Sequence, residues 1–258
     1  MLNDIKSELY RTFCNKSYYL MTGALAGLIL LMNGILWLCR VNFGEKFGYG
    51  VTSYSFSILV NSPMFYCLAA AMIAQILYES DKKQGNAKNA VAFGISRTKI
   101  FLGKCIAGLI ACLASLALIL TVYITSAVLL LEQAGPVGIF DLLAEVPAMV
   151  LSAGAALILM IALQDFFEKN AVAFVIWIGV FFGIPQLLFY LGFGWEILMK
   201  IAMWMPRNLF VGMQVNMTEC VTVWESAEGM GRCLLVGGVW MFLCTLAGWL
   251  LLRRKEIA

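Results

Sequence analysis

The sequence predicts an all-α, polytopic membrane protein with six transmembrane helices and both termini in the cytoplasm. Three observations predict it. Of the 258 residues, 62% are apolar and 13% are charged, against roughly 25% charged in soluble domains. Uncharged runs long enough to cross a hydrocarbon core, which takes roughly 20 residues at a rise of about 1.5 Å each, occur at 17–39, 47–78, 105–131, 146–164, 170–195 and 233–252. With the N-terminus inside, 13 of the 18 Lys and Arg fall on the inner side, and only Arg40, Lys46, Lys200, Arg207 and Arg232 fall outside, as the positive-inside rule requires. A charge at a span centre costs about 2.5–3.5 kcal/mol on insertion scales, so six charge-free runs are a strong signal.

The elements follow in order. In residues 1–16, Leu2, Ile5, Leu9 and Phe13 recur at helical spacing, while Lys6, Glu8, Arg11 and Asn15 point elsewhere. This favours a helix lying along the inner leaflet over a solvated tail. The first apolar run has the basic flank of a signal peptide, but it is longer than a signal's core and no A-x-A site follows, so it is a retained span. The spans are placed at 17–39, 56–78, 105–131, 146–164, 170–192 and 233–252 of a single transmembrane domain. The loop at 79–104 holds six basic residues. Its middle, 86–93, is expected to form a short helix with Ala87, Ala90, Val91 and Phe93 mostly on one side, closed by Gly94. Such a loop either marks topology by touching anionic lipid or docks in a partner's groove.

Glu132, Asp141 and Glu145 are expected to be solvated caps at the outer ends of the third and fourth spans. Pro147 falls at the start of the fourth, a tolerated position, and Gly183 and Pro185 predict a kink in the fifth. The outer segment 193–232 is rich in apolar residues interrupted by Pro206. It is expected to form short re-entrant helices before the sixth span, with Trp195 and Trp204 at headgroup level. Arg253, Arg254 and Lys255 anchor the C-terminus inside.

Composition also excludes chemistry. The chain has no histidine, so imidazole zinc sites, Ser-His hydrolysis and histidine proton relays are ruled out. Its eight cysteines include no C-x-x-C. Cys67, Cys105, Cys112 and Cys244 lie in apolar runs as packing residues, and a disulfide between Cys220 and Cys233 stays open but is not favoured. The net charge of +3, with no basic patch beside an aromatic surface, argues against nucleic-acid binding. No charged residue interrupts the six runs, so no ion relay is expected. Gly103-Lys104-Cys105 lacks the upstream glycine and the hydroxyl residue of a phosphate-binding loop. The chain is therefore expected to have no catalytic, cofactor or metal site of its own and not to be an enzyme. If the protein does energised work, another subunit must supply the energy.

The second-span exit and the loop after it resemble the permeases of type-2 ATP-binding-cassette exporters. The residues that carry this are Glu79, Gly85, Asn86, Lys88, Asn89, Gly94, Ser96, Arg97, Ile100 and Lys104. Lys88-Asn89 and the G-x-S-R step at Gly94–Arg97 most resemble the small permeases of lantibiotic immunity and antimicrobial-peptide export. Asn86 departs from the threonine many relatives carry there. The amphipathic start, six spans, short outer pieces and basic stop agree over the whole chain.

The resemblance implies that 84–93, including Val91 and Phe93, is a coupling helix on an ATPase, flanked by Glu79 and Arg97, which pair with each other or with the ATPase. It implies that the Leu2–Phe13 helix is the connecting helix. Two ATPase subunits carrying ATP and Mg and a second permease chain, identical or sister, complete the unit in the plasma membrane. The path then lies between permeases, lined by the second and fifth spans, for an amphipathic cargo, foremost an antimicrobial or lantibiotic-like peptide. The alternative is a passive channel, facilitator or membrane scaffold without ATP coupling.

Overall fold

The computed structural model describes residues 2–83 and 96–254. Helix dominates for a physical reason: in lipid every backbone N–H and C=O must be paired internally, and a helix does this within one segment. Helix α1 covers Leu2–Phe13 and α2 Lys16–Phe43. The Asn15 side chain accepts from the Ser17 amide at 3.0 Å to start α2, and Gly44, at a φ of +60°, ends it by donating to the Arg40 carbonyl. Helices α3 (Thr52–Val60) and α4 (Met64–Lys83) follow, then α5 (Arg97–Leu130) and α6 (Ile139–Phe166). Helix α7 runs over Asn170–Gly192, with a π-turn at Gly179–Gly183. After it come α8 (Glu196–Ala202), a 3₁₀ turn at Pro206–Phe210, and a two-stranded hairpin of β1 (Gln214–Val215) and β2 (Cys220–Val221). A second 3₁₀ turn at Val223–Glu225 leads into α9 (Ala227–Arg254).

Among the described residues, α2, α5, α6, α7 and α9 are each long and apolar enough to cross a membrane. The α3–α4 pair passes the same test only jointly and is bent by 69°, so the protein has five such helices, or six if the pair is one span. The chain is a multi-pass helical membrane protein. The second apolar run is thus not one straight helix over 56–78. Pro63 lacks the amide a continuing helix would use, and its ring disfavours helical geometry in the residue before it.

Helix α6 is the axis of the bundle. Every residue from Ser152 to Gln164 is buried, so it must be enclosed by protein on all sides. Helices α9 and α4 make its most extensive contacts, with α7 and α5 beside them. Small residues permit the close approach that membrane helices rely on: Ala153, Gly154, Ala155 and Ala156 of α6 are buried in succession, and Gly154 lies against Met241 of α9 and Leu109 of α5. Helix α2 is peripheral and joined to α5 by polar contacts. Tyr18 Oη donates to the Ala111 carbonyl at 3.0 Å, Thr22 and Ser115 hydroxyls meet at 3.0 Å, and Asn33 donates to Ser126 Oγ at 2.7 Å. Ser55 of α3 donates to Asn33 Oδ1 at 2.7 Å, and the Tyr123 hydroxyl closes the set on the Ser55 carbonyl.

Two expectations need correcting, those for Glu145 and Pro147. Helix α6 begins at Ile139, ahead of the uncharged run at 146–164, because the Gly138 amide donates to Asp141 Oδ2 at 2.7 Å and starts the helix early. Asp141 is a cap as expected, but Glu145 is 0% exposed and Pro147 lies two turns inside the helix. Helix α5 likewise begins at Arg97, ahead of its uncharged run, so that Lys104 is only 4% exposed. The outer segment forms the expected short helical pieces, and in addition a hairpin the sequence reading missed.

That segment caps the end of the bundle away from α1. Its side chains tie it to backbone carbonyls of α7 and α8. Arg207 donates to the Phe182 carbonyl at 3.1 Å, and Asn208 to those of Pro185 and Ala202, both at 2.9 Å. Arg232 of α9 donates to the Met203 carbonyl at 2.7 Å, and Asn61, in the α3–α4 break, to the Val215 carbonyl of the hairpin at 2.8 Å. Cys220 and Cys233 are free thiols. Burial, then the nearby Asp141 and Glu225 carboxylates, push the Cys220 thiol up.

At the same end the α5–α6 connection is stitched to the residues before α3. Thr52 donates to the Glu132 carbonyl at 2.9 Å, and Arg40 pairs with the Glu132 carboxylate. Gly135 has a φ of +101°, and a Cβ there would collide with the Ser53 side chain. Ser53 Oγ in turn accepts from the Val137 amide at 3.1 Å. Gly135→Ala is expected to lower stability by at least about 1–2 kcal/mol, the cost of a left-handed backbone for a side-chain-bearing residue, as a drop in thermal unfolding midpoint in detergent.

Candidate functional site

The densest charged cluster among the described residues lies where α1, α4, α5 and α6 converge. Lys104 Nζ on α5 pairs with Asp165 Oδ1 at the end of α6, 2.8 Å away, with side chains 5% and 23% exposed. The same ammonium sits 5.3 Å from the centroid of the Tyr78 ring of α4. Tyr78 Oη donates to the Lys104 carbonyl at 2.6 Å. From α1, Glu8 lies over Gly103 and pairs with Arg11 at 3.1 Å. Four helices therefore meet through one buried ammonium.

The amphipathic reading of α1 needs adjusting. Leu2 opens the helix, Ile5 and Leu9 are half-buried, and Phe13 is exposed but sets its ring edge on Tyr18 at 5.8 Å. Thr12 is buried, and Glu8, expected to point away, is a half-buried member of the packed face. Glu8 lies close enough to Lys104 and Asp165 to feel both charges. Burial raises the Glu8 carboxyl above its usual value despite the pull of Arg11 and Lys104.

A carboxyl that holds its proton more tightly in the docked state favours docking at lower pH. The docking of α1 on α5 is expected to strengthen as pH falls through the raised value towards the ordinary 4.5 and to weaken above it. Hydrogen exchange of α1 against pH measures this, and Glu8→Gln is expected to flatten the dependence.

Of the residues expected to couple to an ATPase, Glu79, Ser96 and Arg97 are described. Glu79 is half-buried in α4. Ser96 is exposed at the N-cap of α5, and half-buried Arg97 is its first residue. Gly85, Asn86, Lys88, Asn89, Val91, Phe93 and Gly94 lie outside the described residues. The reading from residues missed Glu8, Tyr78, Lys104 and Asp165. A signal was present: Lys104 opens the third apolar run and Asp165 closes the fourth, so two successive antiparallel helices bring them to one level.

A second polar group lies deeper. Glu145 is fully buried; Tyr66 Oη donates to its Oε2 at 3.4 Å, and its Oε1 has no partner among the described residues. Among the described residues no cluster of metal-ligating side chains occurs. No protein-family model matches the chain, and no curated protein matches it.

Proposed function

We propose that the chain is the permease subunit of an ATP-driven exporter of the type-2 ATP-binding-cassette class. In this reading it sits in the plasma membrane with both termini on the cytoplasmic side and moves an amphipathic cargo, foremost an antimicrobial or lantibiotic-like peptide, outward. The observation that best supports the reading is the cluster around Lys104. The loop 84–95 leaves α4 and enters α5, so an ATPase pressing on it would push on the ends of both helices. The Lys104–Asp165 pair and the Glu8 contact would pass that displacement to α6 and α1. Coupling of this kind needs a rigid, charge-paired junction beside the loop, and tight packing transmits displacement. In this reading 84–93 is the coupling helix, α1 the connecting helix, and ATP and Mg belong to two partner ATPase subunits. A second permease, identical or sister, completes the unit.

The test is uncoupling. Arg97→Ala, or charged replacements of Val91 and Phe93, are expected to leave folding intact and to abolish ATP-dependent cargo accumulation inside inside-out vesicles, the direction that corresponds to export from the cell. Unchanged export in these variants removes the coupling assignment. Export that proceeds without ATP removes the exporter reading in favour of a passive facilitator.

A further inference from the structure

An apolar cavity of about 240 Å³ opens within this single chain among α2, α4, α5, α6 and α9. Leu25, Phe65, Ala69, Leu113, Gly154 and Met241 mark its walls. Its lining is almost wholly apolar, and the Tyr66 hydroxyl beside it is already committed to Glu145. Phe65 and Leu113 are 41% and 48% exposed, so the cavity opens on the flank of the bundle. Leu113 stands about 24 Å along α5 from Arg97 at the helical rise, and Gly154 lies near the middle of α6. The mouth is thus at mid-span depth, facing hydrocarbon rather than either aqueous side.

We propose that this cavity is a binding site for one acyl chain of a bilayer phospholipid. An apolar void lacks partner atoms along its lining and forfeits their dispersion contacts, and water is not stable in it without polar partners. The surrounding medium supplies alkyl chains at that depth. The volume suits a segment of one chain and falls below the roughly 300–1,000 Å³ of drug-sized pockets. The lining offers no polar anchor for a headgroup or for the charged part of an amphipathic cargo, which distinguishes a lipid tail from cargo. The proposal stands apart from the exporter reading and holds for a channel as well.

The test uses the purified chain in nanodiscs of phosphatidylglycerol carrying a photoreactive diazirine at mid-chain, with no cargo present. After illumination, mass spectrometry is expected to place the label on Ala69, Leu113 and the Gly154 segment in excess over the outward-facing Leu28 and Leu31 of α2. Ala69→Phe is expected to cut cavity labelling several-fold and to leave α2 labelling unchanged, which controls for folding. Should that variant fail to fold, the wild-type chain with the diazirine moved beside the headgroup is expected to lose the cavity label. Cavity labelling no greater than that of α2, or unaffected by both changes, overturns the proposal.

Discussion

Asp165→Asn is expected to destabilise the protein by about 3 kcal/mol, at the lower end of the range for removing one partner of a buried ion pair. The loss arises because the Lys104 side chain, 5% exposed, is left buried without the carboxylate that pairs with it. The nearby Glu8 carboxylate and the Tyr78 ring soften the loss, which argues against the upper end of that range. Lys104→Met is expected to cost less, since the Asp165 side chain left behind is 23% exposed and still reaches water. The double change Lys104→Met with Asp165→Leu should recover most of the loss, because an apolar pair often replaces a buried ion pair without penalty. Thermal unfolding in detergent measures all three, with Asp165→Asn lowering the midpoint by roughly 6–12 °C. Equal losses from the two single changes would contradict this account of which charge is buried.

Gly237 and Gly238 are adjacent on α9 and expected to respond oppositely. A Cβ at Gly237 would stand 2.7 Å from Leu151 Cβ and 3.0 Å from the Ser152 amide nitrogen of α6. Neither atom is the end of a flexible side chain, so the two helices must part. Overpacking of this kind costs about 1–3 kcal/mol, which exceeds the gain of up to about 1 kcal/mol in helix propensity from Gly to Ala. At Gly238 a Cβ meets nothing within 4 Å, so only the propensity gain remains. Gly237→Ala should lower the unfolding midpoint, Gly237→Leu should lower it much further, and Gly238→Ala should leave it unchanged or raise it. One turn-set further along, a Cβ at Gly248 would reach Phe101 Cζ at 2.5 Å and Ala162 Cβ at 2.9 Å, so the same face of α9 continues to lie against α6 and α5.

Much of the fold was legible because lipid imposes a single demand, a long uncharged helix. The multi-pass helical character, the helical start, the irregularity near Gly183 and Pro185 and the short outer helices all follow from run length and from Gly and Pro. The bend between α3 and α4 was less legible, since it falls inside the uninterrupted run 47–78 and only Pro63 marks it. Burial of charge was not legible. Glu145 and Lys104 both adjoin uncharged runs and look like solvated ends. The helices start earlier than the runs do, Asp141 initiating one and Ser96 the other, and this carries each charge into the interior. At the candidate site, Glu79 and Arg97 are set by a sequence pattern, whereas the cluster that joins their helices depends on contacts between Lys104 and Asp165, 61 positions apart.

The dependence on an energising partner is tested most directly by purifying the tagged chain from its native membrane in mild detergent and identifying what accompanies it. The exporter account predicts a stoichiometric ATP-binding subunit, lost when Ala87, Ala90, Val91 and Phe93 are replaced by charged residues. Recovery of the chain alone, with ATP-independent flux in liposomes, would contradict it.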